Sequence, residues 1–238
     1  MLVVDNVNFE KEFNLVVTNI RGRGIVNYEL ETTFNSSDGE RVIRKKRPPR
    51  YLEIDMTLLG ETKEELRESI NKINQVLHVR DLKEKEIFFL DEPHLKYYGY
   101  PAESIDEEQI VSSTQITLVF FCSNPDKFGN EIKLRNSKKI YLQCNQDTPP
   151  YFTIYIDKVT NFVELSLDDE VLRVNYDFQK GDILEIDCER KKIFINKILN
   201  MNALDIEKAD FFVLKPSENN ININPNFDID INFIERWL

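Results

Sequence analysis

Glycine is scarce in this chain: 7 in 238 residues, beside 3 cysteines, 2 histidines and 1 tryptophan. Each shortage excludes something. Cys122, Cys144 and Cys188 form no C-x-x-C pair. An odd, scattered set builds neither a disulfide framework nor a zinc ribbon, and reads as buried free thiols. His78 and His94 are the only imidazoles, too few for a histidine-based metal centre without carboxylates that the periodicity does not supply. No G-x-G-x-x-G, Walker A, G-x-S-x-G or H-E-x-x-H occurs, so the expectation is no cofactor, no metal and no catalytic residues. Arg21-Gly22-Arg23-Gly24 lacks a following helix pattern and reads as a turn. Apolar runs span only a few residues, too short for a transmembrane helix. The start, Met1-Leu2-Val3-Val4-Asp5-Asn6, has neither the basic region nor the apolar stretch of a secretory signal. Bases are outnumbered as well, 31 Lys+Arg against 42 Asp+Glu for a net charge of -11. That argues against general affinity for nucleic acid or anionic membrane.

What is present is β pattern. Hydrophobic residues make up 41% and charged residues 31%, a globular balance with length for one large or two small domains. Leu15 to Ile20 and Ile25 to Phe34 read as strands. Asp38-Gly39 then supplies the positive φ of a tight hairpin, with the return strand from Arg41. From Tyr51 to Gly60, Leu52, Ile54, Met56 and Leu58 share one parity, a strand with one buried face. Thr62-Lys63-Glu64-Glu65 is a capping box, and Leu66, Ile70, Ile73 and Leu77 form one helical stripe behind it. Glu68 and Lys72 pair at i,i+4. Ile87 to Leu90 and Lys96 to Tyr100 follow, then a long alternating run from Gln109 to Cys122.

Pro125 to Asn130 reads as the boundary between domains 1-127 and 128-238. Beyond it come short strands: 132–134, 140–144, 151–156, 162–167, 171–176, 183–188, 193–195, 211–214, 221–223 and 229–238. One helical turn fits within Met201 to Ala209. Many short strands in so few residues fit a β-sandwich or jelly roll.

Three clusters could carry function. Arg41, Arg44, Lys45, Lys46, Arg47 and Arg50 form a basic run broken by Pro48-Pro49. It could be a nucleic-acid patch, a solvated loop, or a surface meeting acids on a neighbouring subunit; the acidic balance of the chain favours the last two. Tyr151, Tyr155 and Tyr176 could stack on sugars, although strand tyrosines often belong to the core. Asp106-Glu107-Glu108 and Asp168-Asp169-Glu170 offer carboxylates, but a glycosidase needs two at a defined separation, and such runs in loops are solvated.

The order of elements resembles the distal tail proteins of long-tailed, non-contractile bacteriophages and prophages of Gram-positive hosts. In the first half the resemblance rests on Ser37-Asp38-Gly39, the Arg-bearing segment, the capped helix, Tyr97-Tyr98-Gly99-Tyr100 and the ending Phe120-Phe121-Cys122-Ser123-Asn124-Pro125-Asp126-Lys127-Phe128-Gly129. In the second half it rests on Gly181 to Asp187, Ile193-Phe194-Ile195-Asn196, Asp210 to Pro216, Asn219-Asn220-Ile221 and Arg236-Trp237-Leu238. Two positions depart from the pattern: Lys197 and Ser217 stand where family members often have glycine, and a turn with positive φ is less comfortable there.

The resemblance implies a mainly β chain with one N-terminal α-helix. It implies a ring-forming N-terminal β-sandwich with helix and hairpin, and a galectin-like or carbohydrate-module-like C-terminal β-sandwich. It implies a structural hub, not an enzyme: a homo-hexamer joining the tail tube protein to the tail-associated protein and in many phages to receptor-binding proteins. DNA would only pass through the lumen, which should be neutral to acidic. The place of work would be the virion tail tip, after assembly in the host cytoplasm. The six bases of the run are then candidate subunit contacts, with a salt-sensitive assembly. The alternative is a carbohydrate-binding module touching host wall glycans through the C-terminal sandwich.

Overall fold

The computed structural model describes residues 1–34, 38–78, 83–106 and 113–238, with backbone only at 104–106. By contacts it divides into two units, 1–127 with Leu238, and 128–237.

In the first unit, β1 (Leu2–Val4) and β2 (Val7–Asn8) lead into a short helix α1 (Phe9–Glu12). Asn8 caps it by accepting from the Lys11 amide at 3.1 Å. This helix is too short to leave a periodic signature. There follow β3 (Leu15–Arg21), β4 (Glu29–Phe34), β5 (Glu40–Lys46), β6 (Arg50–Leu59), α2 (Lys63–Leu77), β7 (Lys85–Phe89), β8 (Lys96–Asp106) and β9 (Ser113–Cys122). The order of pairing is β2-β1-β7-β8-β9-β6-β3. The long strand β8 is shared, its first half with β7 and its second with β9.

Strict alternation in β6 and β9 turns Leu52, Ile54, Met56, Leu58, Ile116, Leu118 and Phe120 to one buried face. Residues 107–112, the start of the expected strand from Gln109 and most of the acidic run after Asp106, lie outside the described residues. Helix α2 covers that core with Leu66, Ile73 and Leu77, each burial contributing about 2 kcal/mol. The Thr62 hydroxyl accepts from the Glu65 amide at 3.2 Å. The Glu65 carboxylate reaches back one residue further than a capping box requires, to the Glu61 amide at 2.8 Å. Glu68 and Lys72 pair at 2.9 Å.

The second unit is a sandwich. Its strands are β10 (Lys127–Arg135), β11 (Lys139–Tyr141), β12 (Tyr151–Tyr155), β13 (Thr160–Leu167), β14 (Glu170–Phe178), β15 (Ile183–Asp187), β16 (Lys192–Ile195), β17 (Ile198–Leu199), β18 (Leu204–Ala209), β19 (Glu218–Asn224) and β20 (Asp228–Trp237). One sheet runs β17-β16-β15-β12-β20-β10 and the other β11-β19-β13-β14-β18. Phe152, Ile186 and Ile231 from the first meet Leu165, Leu172 and Val174 from the second in one core.

Several expectations need correction. The strand expected from Ile25 begins at Glu29, because its partner strand ends at Lys46, just before Pro48-Pro49, which cannot donate to a ladder. No strand spans 211–214. Phe212 and Leu214 are buried in the core, but only Leu214 forms a bridge, to Thr148. The helical turn expected within Met201 to Ala209 is present, as a 3-10 turn over Met201–Ala203, with strand β18 directly after it. Strand β11 ends at Tyr141, short of Cys144.

The two positions without glycine behave differently. Asn196 and Lys197 both take positive φ, 51 and 68, in the two-residue turn joining β16 to β17. That is the turn class in which both central residues are left-handed. Ser217 is not among the residues with positive φ, so glycine is not required there.

Candidate functional site

The basic run occupies an exposed hairpin. Strands β4 and β5 pair only with each other, as a two-stranded sheet. Every residue of both strands is exposed; the tip residues 35–37 lie outside the described residues.

The anchor of this arm is dense with charge. Gly22 sits where an added Cβ would lie 1.9 Å from the Tyr51 carbonyl oxygen, so no side chain fits. Arg50, 8% exposed, donates to the Gly22 carbonyl at 2.7 Å and to the Pro125 carbonyl at 2.8 Å. Arg47 pairs with the buried Asp126 carboxylate. Arg21 grips Glu53 and Asp55 at 2.8 and 2.6 Å. Hydrogen bonds from Arg21 and then from Thr117 hold Asp55 below the usual carboxylate range. Arg23 pairs with Asp91 at 2.9 Å and Glu92 at 3.2 Å, over the Phe89 ring. Burial pushes Glu92 up, but hydrogen bonds from Arg23 and Lys127 outweigh it and the group lies below its ordinary value.

Two of the six candidate contacts are therefore spent within the unit: Arg47 and Arg50 fix the base of the arm. The other four lie on β5. Lys46 stands directly opposite Glu29, and Arg44 opposite Glu31. Residues 28–47 hold 5 bases and 4 acids. The run is basic along the chain but nearly neutral once folded, because β4 brings acids across from it. Lys45 Nζ lies 3.6 Å from the Tyr28 ring centroid.

The register separates two faces. Glu29, Glu31 and Thr33 share one with Lys46, Arg44 and Arg41, and Leu30, Thr32 and Phe34 share the other with Lys45, Val42 and Glu40. Ile43 is the extra residue of a bulge. Leu30 is 56% and Phe34 88% exposed, and no strand or helix among the described residues covers them. The sequence signal for these apolar residues is the alternation Tyr28, Leu30, Thr32, Phe34, which lies beside the more conspicuous charge run.

The tyrosines do not converge. Tyr151 and Tyr155 share the outer face of β12, their hydroxyls donating to Glu185 at 3.0 Å and Asp230 at 2.9 Å. Tyr176 belongs to β14 in the opposite sheet, edge-to-face with Phe178. The three cannot form one platform. Asp168 adopts φ 49 in the turn between β13 and β14 and accepts from Asn220. Among the described residues no group of three or more His, Cys, Asp or Glu could hold a metal ion. No helix there is long and apolar enough to cross a membrane.

A phage tail protein RIFT-related domain matches residues 5–122, and a siphovirus-type tail component C-terminal domain matches residues 143–237. The distal tail protein of Bacillus phage SPP1 is 30% identical over 214 residues, covering 86% of this chain and 83% of that protein. This chain belongs to the distal tail protein family. Superposed on the crystal structure of SPP1 Dit, it gives a TM-score of 0.86 over 100% of this chain and 98% of the other. Identity over that superposition is 22%. The phage P2 baseplate structure in its Ca-activated conformation contains a chain of like fold, with TM-score 0.52 and 8% identity over 94% and 91% of the two chains. The fold, mainly β with one principal helix, is thus shared by chains of very different sequence.

Proposed function

We infer that this chain is a structural hub of a phage tail tip, working by shape and contact and not by catalysis. Membership in the distal tail family supports this, and SPP1 Dit is described as a hub of the adsorption apparatus in phages infecting Gram-positive hosts. The observation that carries it to particular residues is the arm. A lone two-stranded hairpin is marginally stable in water, and this one exposes Leu30, Phe34, Val42 and Ile43. Such a ribbon is a contact waiting for a partner.

In this reading the chain forms a ring, hexameric as the family resemblance implies, with the arm meeting a neighbouring subunit. The ring joins the tail tube protein on one side and the tail-associated protein on the other, and it offers a mount for receptor-binding proteins. Arms and bodies are different surfaces of one chain, so the contact is heterologous and closes only as a ring. The place of work is the virion tail tip, with assembly in the host cytoplasm and DNA only passing through the lumen. Light scattering of the purified protein followed by negative-stain imaging tests this. Six-fold rings are expected; a strict monomer at high concentration, with and without the neighbouring tail proteins, overturns it.

A further inference from the structure

The outer face of the β12–β20 pair ends in a cleft of about 380 Å³ that the assembly reading does not use. That is within the ~300–1,000 Å³ usual for small-molecule sites. Phe128, Glu131, Tyr151, Glu189, Asn232 and Arg236 line it. Tyr151 stands directly across from Asn232 in the register, so both side chains leave the same face. The bond from the Tyr151 hydroxyl to Glu185 fixes the ring. Burial and then Glu185 push that phenol up to about 12, so it stays protonated. Arg236 is held by Glu189 and lies 5.5 Å from the Phe128 ring centroid. Its Nε is buried with no hydrogen-bond partner among the described residues, an uncommon state for a donor. The Asn232 amide likewise makes no side-chain hydrogen bond there.

We propose that this cleft binds a neutral saccharide, one sugar ring lying on Tyr151 with its hydroxyls shared among Asn232, Glu131 and Arg236. Three features select that ligand. The Tyr151 ring is a pre-set apolar platform of the kind that carries the non-polar face of a sugar. The lining supplies donors, from Asn232 and Arg236, and acceptors, from Asn232 and Glu131, matching hydroxyls that both give and accept hydrogen bonds. Arg236 is already paired with Glu189 and Lys133 with Glu131, and Glu185 stands nearby, so an anion gains little. Tyr176, in the other sheet, takes no part.

Saturation-transfer NMR on the full chain with glucose, galactose, rhamnose and N-acetylglucosamine tests the site. Transfer to at least one sugar is expected, with a dissociation constant on the order of 1 mM. Asn232→Ala should weaken it about tenfold, whereas Tyr176→Phe should leave it unchanged. Arg236→Lys, which keeps the charge but removes Nε, should weaken it too. Equal thermal midpoints certify the folds of the variants. No transfer to any sugar overturns the proposal, as does transfer that persists undiminished in Asn232→Ala. Repeating the measurement with a released wall polysaccharide and with bare peptidoglycan separates the two natural sources of such rings. Ring formation is scored independently, so the failure of either reading leaves the other standing.

Discussion

Lys197 holds a φ of 68 without the glycine that would hold it freely. A non-glycine residue in the left-handed region costs about 1–2 kcal/mol, partly offset because glycine loses more chain entropy on folding. Lys197→Gly should therefore raise stability by about 0.5–1 kcal/mol, seen as a higher urea midpoint at unchanged slope. Glu92 makes the opposite kind of statement, about pH. Its ordinary value is 4.5, and in the folded chain it lies lower. Its contribution is fully present above 4.5 and is lost as pH falls through the folded value. Glu92→Gln should be less stable than the parent at pH 7, and the two unfolding curves should converge in acid. A difference that stays constant down to pH 3 would mean that Glu92 acts by packing alone. The thiols are quieter still: burial pushes Cys122 and Cys188 up to about 12, which suits side chains that only fill the core.

At the scale of elements, the arm and the helix make different demands. Helix α2 is bound to its own core, and Leu66→Ala should cost about 2–5 kcal/mol. Among the described residues no strand or helix covers the arm's apolar face, so Leu30→Ser with Phe34→Ser should leave the monomer's thermal midpoint within about 1 °C. The same pair should abolish ring assembly in light scattering; rings of normal size would show that the face is not a contact. This contrast also explains what could be read from sequence. The strand through Leu52, Ile54, Met56 and Leu58 and the cap at Thr62 were legible because local periodicity and burial agree. Helix α1 has only four residues, and the 211–214 segment alternates without a neighbouring strand to ladder with. Neither fact is local. The arm's charge balance is hidden from the sequence for the same reason: Glu29 and Glu31 lie far from Lys46 and Arg44 along the chain and opposite them in the sheet.

For the whole molecule, the net charge of -11 acts chiefly as solubility. The sequence suggested an assembly bound by the basic run and weakened by salt. The nearly neutral arm points instead to contact through its apolar face, and screening barely touches apolar contact. Rings should persist from 0.05 to 0.5 M NaCl, checked by light scattering at fixed protein concentration; dissolution over that range would restore the ionic reading.

The bare face of the arm also sets a thermal signature. Covering Leu30, Phe34 and Val42 removes apolar surface from water, and such burial carries a negative heat-capacity change. Its driving force fades on cooling. A tail part built on this contact would be cold-labile: rings formed at 25 °C should loosen at 4 °C and close again on warming.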